Sequence, residues 1–298
     1  MKCRLERSVV DQASIDRNRR IEPMCSVMQN TNDDLAHRSS MGANETPNVP
    51  VKSVERTIRL VEAIQRRNGA SVTELSNDLG VAKSTMHNHL RTLERHGYLV
   101  REDGAFQLGL RFLDHGGFAR ERKPAYGIVR SQVRSLADET GELCQFVVGQ
   151  RGQGVVLFQV RGERAVETRS RVGMHAPLHS MPGGKSILAH LPVKRVNEII
   201  EDHGLPAATD ETITDPDELF AEIDRIVERG YAINRAEHIG GLNAVSVAIT
   251  SGNDEVLGAL ATVGPTHRMG DERYEREVAD SLLEAANELE LNVTYSRL

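Results

Sequence analysis

The chain has no tryptophan, few aromatic residues of any kind and only three cysteines in 298 residues. Cys3, Cys25 and Cys144 lie far apart, and no pair has the spacing of a metal site or a small disulfide framework. A reducing, cytoplasmic setting is the default expectation. No apolar run approaches the roughly 20 residues a membrane helix requires, so no membrane partner is expected. The first residues are basic but lack the apolar stretch of a secretory signal. Hydrolase signatures are missing as well: neither G-x-S-x-G nor H-E-x-x-H occurs. Gly184-Lys185-Ser186 looks like the end of a phosphate-binding loop, but the earlier glycine position of that motif holds His179. Nucleotide hydrolysis is rejected on that ground, and no cofactor is implied. His175 and His179, with Glu163 and Glu167 upstream, lie in a proline-flanked loop without a clear third ligand. A solvated or packing role is preferred there over a metal site.

The most informative stretch runs from residue 71 to residue 108. Ser71 followed three residues later by Glu74 is a capping box, so a helix starts there. Val72, Leu75 and Leu79 share one face, and Gly80-Val81 ends the helix. A second helix begins near Ala82, with Met86, Leu90 and Leu93 inward. Its opposite face carries Ser84, His87, Asn88, Arg91 and Arg95, flanked by Lys83 and Thr85. Two short helices joined by a glycine turn, the second with a donor-rich outer face, suit a helix placed in the DNA major groove. Asp103-Gly104 between two apolar runs predicts a hairpin, the wing, which brings Arg101 with it. An earlier helix, Ser53 to about Arg67, carries Val54, Ile58, Val61 and Ile64 and stops at Asn68-Gly69; it is expected to pack across the other two. Bulk charge does not drive this reading. Residues 51–115 hold ten basic and eight acidic side chains, so the pattern and not the charge is the signal.

Length suggests two domains plus extras. Residues 1–182 hold 27 basic and 21 acidic side chains, and residues 183–298 hold 10 and 22. A net +6 front and a net −12 back fit one end on nucleic acid and the other in solvent. Residues 1–50 are polar, proline-containing and without sustained period, and are expected to be disordered. The natural start is accordingly suspected to be Met24, Met28 or Met41. Seven basic and seven acidic residues in that segment weaken the alternative of a basic DNA-binding arm.

From Ser53 to Gly116 the sequence resembles transcription regulators of the isocitrate-lyase-regulator (IclR) type. The resemblance continues at Phe106 to Leu113, at Ala137-Asp138-Glu139-Thr140-Gly141-Glu142, at Gly184-Lys185-Ser186-Ile187-Leu188-Ala189 and from Glu237 to Thr250. It covers about 245 residues in the expected order. It implies an α+β protein. An N-terminal winged helix-turn-helix is followed by a linker helix that helps dimerise and by a C-terminal GAF/PAS-like α/β effector domain with a mainly antiparallel sheet. The divisions expected are 1–50 extension, 51–112 winged helix, 113–125 linker and 126–298 effector domain. The departures are Asn88 where the recognition helix often has Arg, Ala244 and Ala248 where a Cys and a Pro are usual, and Pro182 where a small Ala is common. Scarce aromatics, Arg far in excess of Lys and the acidic back half are compatible with a salt-adapted archaeal or a GC-rich source.

The back half also reads on its own pattern. Residues 113–122 allow a short amphipathic helix, broken by Gly116-Gly117 and ended before Pro124. A helix over Tyr126–Thr140 ends at Gly141. Strands are expected at 143–148 and 155–160 around a 149–154 loop, at 165–171, at 231–234, at 244–250 and at 256–263, with Gly252-Asn253-Asp254 turning the last two. Helices are expected from Gly184, from Pro192, from Asp215-Pro216 with Leu219, Ile223, Ile226 and Val227 inward, and from Asp271 to Leu291. Strands joined by hairpins and mixed with helices suggest a largely antiparallel sheet with helices on a face. For the effector site the family picture singles out Ser180, Met181 and Gly183 in the loop, and Glu237, Asn243, Val245 and Ser246 in the strand region. A carboxylate meeting the Gly184 helix end is the expected ligand class.

These readings converge on a dimer or tetramer that binds a near-palindromic operator in double-stranded DNA and senses a small metabolite. Ser84, Thr85, His87, Asn88 and Arg91 would meet base edges, and Lys83, Arg95 and Arg101 would fix register on phosphates. Two other classes stay open: a metabolite-acting enzyme that borrowed a winged helix, and a protein-interaction module.

Overall fold

A computed structural model of the protein describes residues 50–251 and 255–295, with Tyr295 described in its backbone only. The expectations for residues 1–49 and for the 252–254 turn lie outside the described residues. The chain divides into two units, Met1–Ala63 and Ile64–Leu298.

The described part of the first unit is most of α1, Lys52–Arg67. Its buried row is set by Leu60 and Ala63, continued by Ile64 in the second unit. The expected stripe is corrected here. Val54 and Ile58 are 55% and 54% exposed, and Val61 is half-buried. The buried row is rotated from the one the apolar spacing suggested, because Leu60 and Ala63 turn inward where Ile58 does not.

In the second unit, α1 ends at Asn68 and Gly69, where the Gly69 N–H returns to the Ile64 carbonyl. Helix α2, Val72–Leu79, has the full capping box: the Ser71 N–H donates to Glu74 Oε2 at 2.7 Å and the Glu74 N–H to Ser71 Oγ at 3.3 Å. Gly80 caps it in the left-handed region. Helix α3 is Lys83–Arg95. The hairpin β1, Leu99–Glu102, with β2, Ala105–Leu108, turns on Asp103 and Gly104 at φ 49° and 83°. Two positive φ values match the twist of a tight hairpin. Ala70 also bridges to Phe106. Leu75, Met86, Leu90, Leu99 and Phe106 are all buried, each worth roughly 1.5–3 kcal/mol relative to exposure.

Helix α4, Arg111–Glu121, runs unbroken through Gly116 and Gly117, contrary to the expected interruption. Glycine weakens a helix by about 1 kcal/mol relative to alanine but does not stop it. Helix α5, Ala125–Thr140, ends on a left-handed Gly141. Strands β3, Leu143–Gln150, and β4, Gln153–Arg161, close on Arg151-Gly152, so the expected six-residue loop is a two-residue turn.

Residues 165–171 form no strand. Arg161 holds the Thr168 carbonyl, and Gln159 and Gln145 hold Ser170. Side-chain bonds, not a ladder, fix this segment. The edge strand is instead β5, His175–Pro177, paired with the start of β4. The chain continues through α6 (Gly184–Ala189), α7 (Val193–His203), α8 (Pro216–Arg229), β6 (Ala232–Arg235), β7 (Leu242–Thr250), β8 (Val256–Pro265), α9 (Thr266–Met269) and α10 (Glu272–Tyr295). In α8, Leu219, Ile223 and Ile226 are buried, but Val227 is 62% exposed and Glu222 takes the inward slot.

The six strands form one antiparallel sheet in the order β5-β4-β3-β8-β7-β6. One face packs on α5 and α10, with Phe146, Val247, Ile249, Leu260 and Leu282 at its centre. The other packs Val147, Val156 and Ala259 against the 176–181 loop and the helices α6, α7 and α8. Where that loop meets α6, a side chain on Gly184 would collide with the Leu178 backbone. Glycine is therefore required at the helix start.

Candidate functional site

Helix α3 presents the expected outer face. Lys83, Ser84, His87, Asn88, Arg91 and Arg95 are exposed and Thr85 is half-buried, while Met86 and Leu90 on the opposite side are wholly buried. Among the described residues no hydrogen bond engages the side chains of Ser84, His87, Asn88 or Arg91, the Thr92 hydroxyl meeting only the Asn88 backbone carbonyl, so those side chains are free for a ligand. Arg101 on the wing is exposed, its guanidinium 5.6 Å above the Phe106 ring. A feature the sequence reading missed joins the wing to α4. Tyr98, just before β1, hydrogen-bonds His115 at 2.8 Å, meets Phe112 edge-on and lies under Arg111. Its signal was the aromatic spacing Tyr98–Phe112–His115, which only the return of the hairpin brings together.

The residues expected at the effector site fall into three places. Met181 lines a cavity on the α6 side of the sheet, together with Leu143, Gln145, Ser170, Met174, Pro182, His238 and Leu242. The cavity is shallow and partly open to solvent, and the centre of a water molecule can range over only about 20 Å³ of it. Ser180, Gly183, Glu237 and Ser246 form a buried frame beside it. Lys185 Nζ donates to Glu237 Oε1 at 2.6 Å, Asn234 Nδ2 to the Ser180 carbonyl at 2.6 Å, and the Ser186 and Ser246 hydroxyls meet at 2.8 Å. Glu222 adds a second carboxylate 4.0 Å from Lys185 and is itself held by Arg225 and Arg229. Asn243 and Val245 are on the other face of the sheet. Val245 sits in the α5–α10 core, and Asn243 accepts from the Thr266 hydroxyl. The two-residue period of a strand puts them opposite Ala244 and Ser246.

Gln145 and His238 were not anticipated. Gln145 stands directly across from Gln159 in the ladder, donates to it at 2.9 Å and to Ser170 Oγ at 2.6 Å. A glutamine inside the apolar run Leu143–Val148 was its available signal. His238 is half-buried, among the described residues its enclosed Nδ1 has no hydrogen-bond partner, and burial lowers its pKa. His179 is likewise shifted down, chiefly by burial, and bonds the Pro206 carbonyl. Cys144 has its pKa pushed up to about 11 by burial, between Thr140 and Thr262, which makes it an inert core thiol. Among the described residues no His, Cys, Asp and Glu cluster is placed to hold a metal ion, and no helix is long and apolar enough to cross a membrane.

Comparison with known proteins agrees with this arrangement. The IclR helix-turn-helix domain matches residues 53–103, and the bacterial transcriptional regulator IclR C-terminal domain matches residues 122–291. The chain belongs to the IclR family of transcriptional regulators. The HTH-type regulator ArcR of Halobacterium salinarum is 30% identical over 247 residues, covering 82% of this chain and 94% of its own. The crystal structure of the Thermotoga maritima IclR superposes with a TM-score of 0.67 at 27% identity, over 81% of this chain and 98% of that one. An IclR homologue from Microbacterium hydrocarbonoxydans, solved in complex with 4-hydroxybenzoate, shares the fold with a TM-score of 0.68 at 22% identity, over 81% and 98%. IclR regulators join a DNA-binding winged helix to an effector-binding domain. Here the first is the α2–α3–β1–β2 assembly and the second contains the six-stranded sheet. The helix-turn-helix match stops at the wing turn, and β2 completes the hairpin just beyond it.

Proposed function

We propose that a homodimer or homotetramer of this chain grips a near-palindromic operator through α3 and the wing. Occupancy of the cavity beneath the 176–183 loop then shifts operator affinity. The working divisions are residues 51–112 for DNA, 113–125 for the linker and 126–298 for the effector. The observation that carries the reading is the exposed, unengaged row Ser84–His87–Asn88–Arg91, backed by buried Met86 and Leu90. Ser84, Thr85, His87, Asn88 and Arg91 read base edges, and Asn88 suits adenine N6 and N7. Lys83, Arg95 and Arg101 fix register on phosphates. Leu110, at the N-cap of α4, and Leu113 and Phe118 within it are 71–82% exposed and supply apolar surface for a second copy. The relative held with 4-hydroxybenzoate supports a small organic effector. Ligand and DNA are coupled only as far as the ligand binds the two dimer geometries unequally. The protein acts by binding and carries out no turnover.

Genome-wide occupancy of the tagged protein in its own cells tests this. Discrete peaks over a short inverted repeat are expected, and adjacent genes would nominate the effector. Uniform background across several carbon sources, with no DNA retained by the purified protein at low salt, would overturn it.

A further inference from the structure

A dimer that recognises two half-sites must hold its two α3 helices at one separation and one angle. The dimeric reading above makes the Leu110, Leu113 and Phe118 surface the meeting point of the copies, and the inference rests on that reading. Between that surface and α3 the chain is tied down, with Tyr98 at the centre. The Tyr98 N–H donates to the Leu93 carbonyl of α3 at 2.9 Å, and the Tyr98 carbonyl accepts from the Gly109 N–H, two residues before α4, at 2.8 Å. A side chain on Gly109 would collide with the Gly97 carbonyl oxygen, so the two backbones touch there. The ring continues the grip. Arg111 lies over it at 5.7 Å, Phe112 meets it edge-on at 5.1 Å, and His115 stacks on it at 5.6 Å and bonds its hydroxyl at 2.8 Å. At about 3.6 residues per turn these three share one side of α4, and Leu110 and Leu113 lie on the other. Farther along, Arg120 lies over Phe158 of β4 at 5.4 Å, so α4 is held towards both ends.

We propose that Tyr98, with Phe112 and His115, is a positioning lock that sets the half-site spacing this protein accepts. Helix α4 buries none of its own residues, so the ring contacts of Tyr98 supply the attachment that a hydrophobic core gives elsewhere. With the lock closed, α3 and α4 move as one body. The distance between the two α3 helices then follows from the way the α4 surfaces meet. Each base pair inserted between half-sites moves one of them by about 3.4 Å and turns it by about 35°. A stiff dimer cannot follow and loses the gain of holding both half-sites at once, whereas a hinged dimer can follow.

The test uses the full chain and a library of duplexes with a random central segment. The inverted repeat selected from it is resynthesised with its selected spacer, with one or two base pairs added, and as a single half-site. The wild type is expected to lose at least about tenfold in affinity at the first insertion. Tyr98→Ala should bind the selected and lengthened spacers within about threefold of each other, with half-site affinity within about twofold of wild type. Tyr98→Phe, which keeps the ring and loses the hydroxyl, should fall between the two. His115→Ala, on the exposed side of the contact, should lose part of the discrimination and carries the test if Tyr98→Ala fails to fold. Discrimination unchanged in Tyr98→Ala and His115→Ala, or lost only together with half-site affinity, would overturn the lock and leave the dimeric regulator standing. A wild type indifferent to the insertions would also overturn the lock. Recovery of single half-sites with no repeat would instead overturn the dimeric reading beneath it.

Discussion

The outer face of α3 and the inner frame of the sensing domain use the same kinds of side chain to opposite ends. On α3, Ser84, His87, Asn88 and Arg91 are exposed and leave their hydrogen-bonding capacity open. Around α6, Lys185, Ser186, Glu222, Asn234 and Glu237 are at most a few per cent exposed, and each is tied to another part of the fold. An exposed polar group costs nothing to leave unpaired because water satisfies it, whereas a buried one must be paired by the protein. Polar residues therefore signal a binding surface in the first region and a structural scaffold in the second. Mutations should separate the two cleanly.

The largest effect belongs to the scaffold. Lys185→Met leaves the Glu237 and Glu222 carboxylates buried with their shared cation gone. A loss of about 3–5 kcal/mol in urea unfolding is expected. A loss below about 1 kcal/mol, the range of an exposed pair, would show that the cluster is hydrated and the comparison false. Arg268→Ala belongs to the same class, since Arg268 grips the fully buried Glu142 with two bonds of 2.8 and 2.9 Å.

The DNA face should show the reverse pattern. Arg91→Ala and Asn88→Ala should leave stability within about 0.5 kcal/mol, as exposed substitutions do. Each should weaken operator binding or relax one base position by about 1–3 kcal/mol. Gel-shift titration of the wild-type site and its single-base variants reads this. Full retention of affinity and of base preference in both variants would remove α3 from the groove.

The same contrast explains how much was legible in the sequence. The winged helix could be read because its signals are local: Ser71 and Glu74 cap within one turn, and Asp103-Gly104 fixes its hairpin in two residues. The helices and most strands of the sensing domain were legible by period. The segment 165–171 was not, because Gln145, Gln159 and Arg161, from other strands, hold it out of the ladder. The cavity was legible least. Met181, singled out by resemblance, does line the cavity, but Asn243 and Val245 belong to the other side of β7, and a family motif does not state which face of a strand is inward. His238 and Gln145 gain meaning only when four separate segments close around them.

Burial also ties the stability of the sensing domain to acid. The imidazoles of His179 and His238 have pKa values lowered by burial, so the unfolded chain binds protons there before the folded one does. The stability they contribute is complete above the unfolded histidine pKa of about 6.5 and falls as pH drops below it. His238→Phe should shallow that acid slope, read from urea midpoints between about pH 7 and 5. An identical slope in the variant and the wild type would show that the burial of this ring does not govern its protonation.

The smallest effect tests the division of labour within the DNA face. Arg101 leans on the Phe106 ring at the wing, and in the proposed docking it meets a phosphate and carries no base information. Arg101→Ala should weaken binding to all sequences alike and reduce the slope of log affinity against log salt by about 1. Loss of preference at one base pair would instead put the wing in the minor groove as a reader. An unchanged salt slope would take it off the DNA altogether, leaving α3 as the sole contact and Arg101 as a stabiliser of the hairpin through its aromatic stack.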